Sequence, residues 1–378
     1  MKSEFEFNIQ GGLGQKFAQE YAQEYGLTSE DVNAISAGLL PDIPVRPDSI
    51  RVYLDLNHWI SLAKALKGKK DAKRYEELLE FLTELSDSGK IVVPLSASHY
   101  MEISKISSIE QRSDIARVVS RVSHFATLQS PTSKLDFEVA SAFRKRFPQL
   151  KALLPHSEIG FGFNFALGQG TGPSASISAL DSDLYEVDRR DLQLIANRLM
   201  EYLVLRGPGP NDIPHLVDFD QYASPRIADQ RAISEQRVRE IVKASSNPRV
   251  SLRDVICARL FCDYVVPRLP SLLALSGVRK ESFDALGKEW YCEFLEDVPF
   301  IAVQIALIIQ INKNDNRDWN RNDVNDMDAL GLAVPSCDIV VTERFACDVL
   351  NRSGIADRFQ TVIIPTLDDL IREVKTRL

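Results

Sequence analysis

Short apolar runs that end on a carboxylate are the feature of this sequence that most constrains its fold. The run at residues 52–54 leads directly to Asp55, and the run at 339–342 leads directly to Glu343. A charged side chain is costly to bury without a partner, so each acid is expected where its strand leaves the core. The pattern therefore predicts strands whose carboxyl ends carry acids.

Helix-like stretches separate the strand-like runs, which lie at residues 52–57, 91–95, 339–342 and 362–364. Strands that alternate with helices pair in parallel through right-handed crossovers. The sequence therefore predicts an α/β fold with a central parallel sheet. Ligands collect at the carboxyl ends of the strands in such a sheet, so the acids are expected at the ligand-binding edge.

The alternation of strands and helices divides the chain into regions. It holds over residues 50–130 and again over 291–378, which predicts two parts of one α/β domain. Residues 131–290 carry helix-like stretches between glycine- and proline-rich loops, which predicts a mostly helical insertion. Residues 1–49 are predicted to form an N-terminal helical extension that ends in a proline-punctuated linker.

Two long helices are predicted from the pattern of apolar residues. One is expected to run from about Ser98 to His124, across Ser107 and Ser108. The other is expected over residues 252–276. Glu102 would then lie early in its helix, where an acid is favoured by the helix dipole.

Three acids crowd the start of a further helix-like run. One or two acids suit a first helical turn, but Asp323, Asp326 and Asp328 lie within six residues and repel one another unless a cation binds among them. Asp323 and Asp326 are three residues apart and share a helix face, so Asp326 is favoured with Asp323 as its partner. Asp328 is expected to face solvent. Asp338 begins the following strand, so it is expected at the opposite edge of the sheet, about 13 Å from Thr342.

Acids gathered at one edge of a sheet repel one another, and a hard divalent cation with oxygen ligands relieves that repulsion. The sequence therefore predicts a Mg²⁺ or Mn²⁺ site formed by Asp55, Glu102 and Asp326 with Asp323, and Glu343 is a further candidate. Three of these acids also have a structural interpretation: Asp55 as an ion pair or a helix cap, Glu102 as a partner of the helix dipole, and Glu343 as an ordinary exposed residue. Their shared position at the ends of successive elements favours the metal site.

These motifs resemble those of the PIN-domain family of metal-dependent nucleases. The matching segments are residues 52–57, 93–102 and 322–344, within the regions 50–130 and 293–378. The resemblance implies a three-layer α/β/α domain with a parallel sheet, here interrupted by the helical insertion. It also implies one or two Mg²⁺ or Mn²⁺ ions and hydrolysis of phosphodiester bonds, mostly in RNA.

The resemblance assigns a role to each acid by motif. Asp55 resembles the first acid of the family, Glu102 the second and Asp326 the third, while Asp328 is an alternative third acid. These residues are the predicted catalytic and metal-binding set, together with a fourth acid from the last motif.

The fourth motif departs from the family's pattern. The family's fourth acid usually comes shortly after a strand-ending threonine, and here Thr342 is followed by Glu343 and then Arg344, so Glu343 is the candidate. Asn57 and Thr342 are candidates for orienting the metal ligands. Both also suit ordinary hydrogen bonding at the end of a strand.

A basic segment, residues 64–74, carries six basic residues and one acid. Lys67, Lys69, Lys70 and Arg74 are its candidates for contacting nucleic-acid phosphates. The alternative is a solvated loop between two helices. The whole chain has a net charge of −8 and a pI of about 5.4, which argues against a protein that binds nucleic acid over its entire surface.

The remaining composition sets the expected setting of the protein. The polar N-terminus has no apolar core of a signal peptide, and the five cysteines lack C-x-x-C spacing, so reduced thiols and a cytoplasmic location are expected. The longest apolar run, residues 298–311, is too short to span a bilayer and is expected to form a buried helix.

The sequence predicts a metal-dependent endoribonuclease, with two groups of alternatives left open. One is a PIN-like scaffold that binds RNA or protein without cleaving it. The other is a nuclease directed at DNA, including single-stranded DNA, or a toxin or defence effector of the same family. A membrane partner is not expected, and assembly into a homo-oligomer stays open.

Overall fold

The computed structural model describes residues 27–28, 31, 46–150, 156–168, 189–207, 223–244, 251–314 and 318–378. The predicted N-terminal extension at residues 1–49, including most of its proline-punctuated linker, lies mostly outside this part of the chain.

Helices make up most of the described residues, with short strands among them. The strands are β1 (Ile50–Leu54), β2 (Ile91–Val92), β3 (Ala126–Leu128), β4 (Ile159–Phe161), β5 (Ile339–Val341) and β6 (Val362–Ile364). The α-helices are α1 (Leu56–Leu66), α2 (Glu76–Asp87), α3 (Ala97–Ile103), α4 (Ile109–Val122), α5 (Pro131–Arg146), α6 (Gly162–Leu167), α7 (Arg189–Arg206), α8 (Ala223–Ala244), α9 (Leu252–Leu260), α10 (Leu269–Ser276), α11 (Lys280–Asp284), α12 (Gly287–Glu296), α13 (Pro299–Lys313), α14 (Arg321–Ser336), α15 (Arg344–Arg352), α16 (Ile355–Phe359) and α17 (Leu370–Arg377).

The chain forms two compact units, each assembled from separate stretches of sequence. The first unit comprises residues 1–127, 159–219 and 366–378, and the second comprises residues 128–158 and 220–365. These units follow tertiary contacts, whereas the regions predicted from the sequence follow composition and periodicity. The predicted subdivision, with its helical insertion at 131–290, stays a prediction.

The first unit contains the parallel pair of β1 and β2. Ile50 aligns with Ile91, and Arg51 aligns with Val92. Helix α4 packs against α1, α2 and α7, and its apolar face is fully buried. Asp55 and Glu102 both belong to this unit.

The second unit contains the parallel pair of β5 and β6, in which Ile339 aligns with Val362 and Val341 with Ile364. Helix α13 packs closely on α14. At Gly331 the two helices are so close that an added Cβ would lie 2.9 Å from the Phe300 ring. The predicted buried helix at residues 298–311 is confirmed as α13. No single helix in the described residues is long and apolar enough to cross a membrane, and α12 and α13 pass that test only as a pair bent by 104°.

The α/β class and the parallel pairing of strands are confirmed, whereas the three-layer arrangement stays a prediction. The single helix predicted from Ser98 to His124 is wrong. It is divided into α3 and α4 because Ser108 begins a new helix, and its side chain accepts a hydrogen bond of 3.2 Å from the backbone N of Gln111.

The single helix predicted over residues 252–276 is also wrong. Helix α9 ends at Leu260, a π-helical turn (Phe261–Val265) and a 3-10 turn (Val266–Arg268) follow, and α10 then begins. Pro267 and Pro270 lie at these junctions, where the missing N–H groups of proline interrupt the ladder of helical hydrogen bonds.

Candidate functional site

Asp55 lies at the carboxyl end of β1, where the strand gives way to α1. It is the N-cap of that helix, and its Oδ1 accepts a hydrogen bond of 2.7 Å from the backbone N of Leu56. Aspartate is a favoured N-cap because its side chain satisfies an otherwise unpaired backbone donor. The side chain is half-buried, so one carboxylate is held at the strand edge in contact with solvent.

Glu102 lies in the last turn of α3, not in its first turn as predicted. The difference arises because α3 is short and ends at Ile103, one residue after Glu102. The helix begins at a capping box in which Ser96 pairs with His99. Glu102 is half-buried, so it also reaches solvent.

Hydrogen bonds tie α3 to the end of β1. The Nε2 atom of His99 lies 2.9 Å from the backbone O of Leu54, the last residue of the strand. The backbone N of Ser96 donates to Nδ1 of the same ring over 2.9 Å, and the Tyr53 hydroxyl lies 3.2 Å from the Ser96 hydroxyl. Asp55 and Glu102 therefore come from two elements that are bonded to each other at one strand edge.

Burial keeps the His99 ring neutral, and the neutral ring holds α3 in position through its hydrogen bonds. Burial lowers its pKa to about 4, while the hydrogen bond to Leu54 acts in the opposite direction. The neutral ring has one donor and one acceptor. Because the backbone O of Leu54 accepts and the backbone N of Ser96 donates, the proton is assigned to Nε2. Both ring nitrogens are thus engaged in holding α3.

Asp323 forms the start of α14 together with Asn320. Its Oδ2 accepts from the Asn320 backbone N over 3.0 Å and from the Asn320 side-chain amide over 2.7 Å. In return, Asn320 Oδ1 accepts from the backbone N of Asp323 over 3.3 Å. The side chain of Asp323 is buried in this capping box, which gives it a structural role.

Asp326 and Glu343 both belong to the second unit, where Asp326 lies on α14 and Glu343 directly follows β5. Only two residues connect α14 to β5, and the helix packs on the strand, so the two elements run in opposite directions. Asp326 lies ten residues before the end of α14, about 15 Å back along the helix axis. Glu343 follows β5 and lies about 13 Å beyond Ile339 along the strand direction. Asp326 is half-buried and Glu343 is exposed.

The prediction that Asp328 faces solvent is wrong. Its carboxylate receives a bidentate contact from Arg231, with N–O distances of 2.6 and 3.1 Å. The Gln304 side-chain amide also donates to it over 2.8 Å. Residues two apart on a helix point to opposite sides, so Asp328 faces α8 and α13 rather than the side on which Asp326 lies. A guanidinium already neutralises this alternative third acid.

The remaining candidates on the strand ends have defined positions. Thr342 is buried, and its backbone N donates to the backbone O of Ile364 over 3.1 Å, which extends the pairing of β5 with β6. Asn57 lies in the first turn of α1 and is exposed. Asp338 lies at the amino end of β5, where its backbone O accepts from Val362 over 2.9 Å. Its predicted position at the edge opposite Glu343 is confirmed.

The basic segment follows α1 in the first unit and is largely exposed. Lys67 contacts Asp114 at 3.2 Å, and Arg74 lies 3.8 Å from Asp368. The Arg74 guanidinium also stacks on the Tyr75 ring, 4.7 Å from its centre. Lys69 and Lys70, the other two candidates, are exposed on the turn between these residues.

In the part of the chain that the structure describes, the candidate acids do not form a preformed metal-binding cluster. Carboxylate oxygens are the ligands that Mg²⁺ and Mn²⁺ prefer. Within the described parts of the chain, no group of three or more His, Cys, Asp or Glu side chains is placed to hold a metal ion. The first unit offers Asp55 with Glu102, and the second offers Asp326 with Glu343.

The partner of Asp328 was not predicted from the sequence. Arg231 lies in α8, almost one hundred residues before Asp328, and it forms further contacts with Tyr264 at 3.0 Å. One arginine in a helix rich in charged residues carries no local signal of a buried partner. Comparison with protein-family models, curated proteins and solved structures found no match to this chain.

Proposed function

We propose that this protein is a Mg²⁺- or Mn²⁺-dependent nuclease that hydrolyses phosphodiester bonds in RNA. The observation that supports the proposal best is the bonded edge of the first unit. Asp55 directly follows β1, and Glu102 lies on the helix that His99 fastens to Leu54 over 2.9 Å. Two solvent-accessible carboxylates supported by a rigid strand edge suit a hard cation and a phosphate substrate.

The proposal assigns metal-binding roles by motif, to Asp55, Glu102 and Asp326. Glu343 is the candidate fourth acid. Asp323 is retained only as a support for the start of α14, because its capping bonds already occupy it. A bound cation would supply an activated water and neutralise charge that builds on the phosphate oxygens.

The basic segment supports a nucleic-acid substrate over a small anionic one. Lys69 and Lys70 extend into solvent, and Lys67 and Arg74 lie beside them in the same unit. Lysine and arginine side chains contact phosphates without reading sequence. A chain with a net charge of −8 needs such a local basic surface to approach a polyanion. RNA as the substrate and a cytoplasmic location rest on the resemblance and on composition.

A cleavage assay tests this function. Single-stranded RNA and single-stranded DNA are incubated with the full-length protein in Mg²⁺, in Mn²⁺ and in excess chelator. Wild-type protein is expected to cleave RNA only with a metal present. Asp55→Asn, Glu102→Gln and Asp326→Asn are each expected to reduce the rate by about 100-fold, equivalent to nearly 3 kcal/mol of transition-state stabilisation. Asp338→Asn, at the opposite end of β5, is the matched control and is expected to keep the wild-type rate.

Two outcomes would overturn the proposal. One is cleavage that persists in excess chelator, and the other is equal rates for the wild type and all three acid variants. Cleavage of DNA in preference to RNA would keep the metal chemistry but select the DNA-directed alternative.

A second candidate function is binding of RNA without cleavage. Two observations favour it: the described residues contain no group of three metal-binding side chains, and Arg231 already occupies Asp328. In that case a labelled RNA would bind with an affinity that falls as salt concentration rises. Lys69→Glu with Lys70→Glu would weaken that binding, while no product would appear with any metal.

A further inference from the structure

Two cysteines face each other where α9 meets α12 in the second unit. Cys257 lies on α9 and is buried, and Cys292 lies on α12 and is half-buried. Both are free thiols. Burial raises the pKa of Cys257 to about 12, and the neighbouring Cys292 adds to the rise through its charge and a side-chain hydrogen bond. The two sulfur atoms are therefore close enough to interact.

The positions of the two cysteines on their helices explain why they meet. Arg253 precedes Cys257 by four residues on α9, and Lys288 and Glu296 lie four residues on either side of Cys292 on α12. Residues four apart share one face of a helix. Each cysteine thus lies on the face that its helix presents to the other.

Neighbouring contacts hold the two helices together around the cysteines. Arg253 forms an ion pair with Glu296, and Lys288 forms one with Asp254 at 2.6 Å. The rings of Phe261 and Tyr291 also pack together, with their centres 4.7 Å apart. These contacts restrict how far the two sulfurs can separate, which raises their effective concentration toward each other.

We propose that Cys257 and Cys292 are a redox-sensitive pair that forms a reversible disulfide between α9 and α12. The proposal is independent of the nuclease function, since α9 and α12 carry none of the acids assigned to that function. A disulfide requires an S–S distance near 2.05 Å, so a change of side-chain rotamer on helices already in contact must close the bond.

The two thiols differ in how accessible they are to solvent, and a peroxide such as hydrogen peroxide is the oxidant that suits this difference. Cys292 is the more accessible, so its thiolate attacks peroxide, the O–O bond breaks, and a sulfenic acid and hydroxide form. The Cys257 sulfur then attacks the sulfenic sulfur, the S–O bond breaks, and its proton leaves with the hydroxyl group as water. Two thiols and one peroxide give one disulfide and two waters, with two electrons passing from sulfur to peroxide. A thiol reductant reverses the change.

Mass spectrometry of the full-length protein tests the pair. A Cys262→Ser background removes the one exposed cysteine, so that cross-links between molecules do not obscure the result. The protein is treated with peroxide, the remaining thiols are alkylated, and the intact mass and peptide map are measured. The expected result is loss of two alkylation sites and a peptide linking Cys257 with Cys292, both restored by a reductant.

Variants decide whether the bond belongs to this pair. Cys257→Ser and Cys292→Ser should each abolish the linked peptide, whereas Cys347→Ser, at another buried cysteine, should leave it unchanged. In the background protein, the oxidised form should also melt at a higher temperature than the reduced form, because the bond closes a long loop. Retention of both alkylation sites after peroxide treatment, or linkage of either cysteine mainly to Cys337 or Cys347, would overturn the proposal.

Discussion

At the scale of single residues, burial decides which side chains can change charge near neutral pH. His99 has its pKa lowered to about 4 by burial, so it stays uncharged at the strand edge. Glu201 has its pKa raised to about 7 by burial, against hydrogen bonds from the Phe163 backbone N and the Tyr100 hydroxyl. Both residues lie in the first unit, and their opposite pKa shifts predict opposite changes in the free energy of unfolding with pH.

The first prediction concerns His99→Gln. An unfolded histidine binds a proton below pH 6.5, whereas the folded residue binds one only below about pH 4. Between these values the unfolded state binds more protons, so this residue lowers the free energy of unfolding as pH falls, by about 3 kcal/mol in all. Glutamine does not titrate, so the wild type's advantage over the variant should shrink toward acid pH. Urea unfolding at pH 7.5 and 4.5 measures this, and parallel curves for the two proteins would contradict it.

The second prediction concerns Glu201→Gln and has the opposite sign. The folded pKa of about 7 is above the ordinary value of 4.5, so the stability that this group contributes is present below pH 4.5 and lost as pH rises through 7. The variant should gain stability relative to the wild type between pH 5 and pH 8.5, by about 3 kcal/mol.

An exposed glutamate in the same unit provides the control for this prediction. Glu84 lies on the outer face of α2, and Glu84→Gln should show no comparable change in urea unfolding between the two pH values. If the difference in stability between Glu201→Gln and the wild type stayed constant with pH, the pKa of this carboxyl group would be the same in the folded and unfolded states.

At the scale of elements, local signals were sufficient to locate the four predicted strands, but not to give the bounds of the two longest predicted helices. The strand over 362–364 matches the predicted bounds, because its apolar run is uninterrupted. The predicted helix over 98–124 failed because apolar spacing continues across a serine that caps a second helix. Apolar periodicity indicates which face of a helix is buried, but it does not indicate where one helix ends and the next begins. Because the predicted long helix is divided, Glu102 lies at the end of a short helix and not near the start of a long one.

The sequence predicted the position of Asp55 but not the partner of Asp328. Asp55 was predicted at a strand end, and the short distance in sequence between strand and acid made this possible. The bidentate contact of Arg231 with Asp328 joins residues far apart in the chain, so no spacing rule reveals it. Contacts of this kind depend on how the helices pack against one another, and that packing cannot be read from a single sequence.

The third prediction tests that contact by a double-mutant cycle. Arg231 and Asp328 join α8 to α14, and their side chains are 31% and 25% exposed. Removing one partner leaves a half-buried charge, so Arg231→Met is expected to cost about 2 kcal/mol, between the values for surface and buried pairs. The coupling energy with Asp328→Asn should exceed about 1 kcal/mol.

A second pair joins the same two helices and serves as the control. Arg321 also contacts Asp229 through two hydrogen bonds, of 3.0 and 2.9 Å, but these side chains are more exposed, at 46% and 43%. Its coupling energy should be below about 1 kcal/mol. Equal coupling in the two cycles would show that burial does not set the strength of the Arg231 contact.

At the scale of the whole molecule, the units are not contiguous in sequence. The first unit takes its last segment, residues 366–378, from the end of the chain. There, the Lys375 ammonium lies 5.5 Å from the centre of the Phe81 ring on α2. Composition and alternation follow sequence order, whereas membership of a unit depends on which surfaces bury one another. The predicted subdivision, in which residues 50–130 and 291–378 are two parts of one domain, stays a prediction.

The fourth prediction follows from that membership. Leu370 is fully buried on α17, whereas Leu378 at the end of the chain is 58% exposed. Leu370→Ala should lower the free energy of unfolding by about 3 kcal/mol through the cavity it leaves, and Leu378→Ala should change it by less than about 0.5 kcal/mol. Because α17 belongs to the first unit, hydrogen exchange in the Leu370 variant should accelerate in α2, almost three hundred residues earlier. Mass spectrometry of exchanged peptides measures this. Acceleration confined to β6, the neighbour in sequence, would show that the C-terminal helix is supported by the second unit instead.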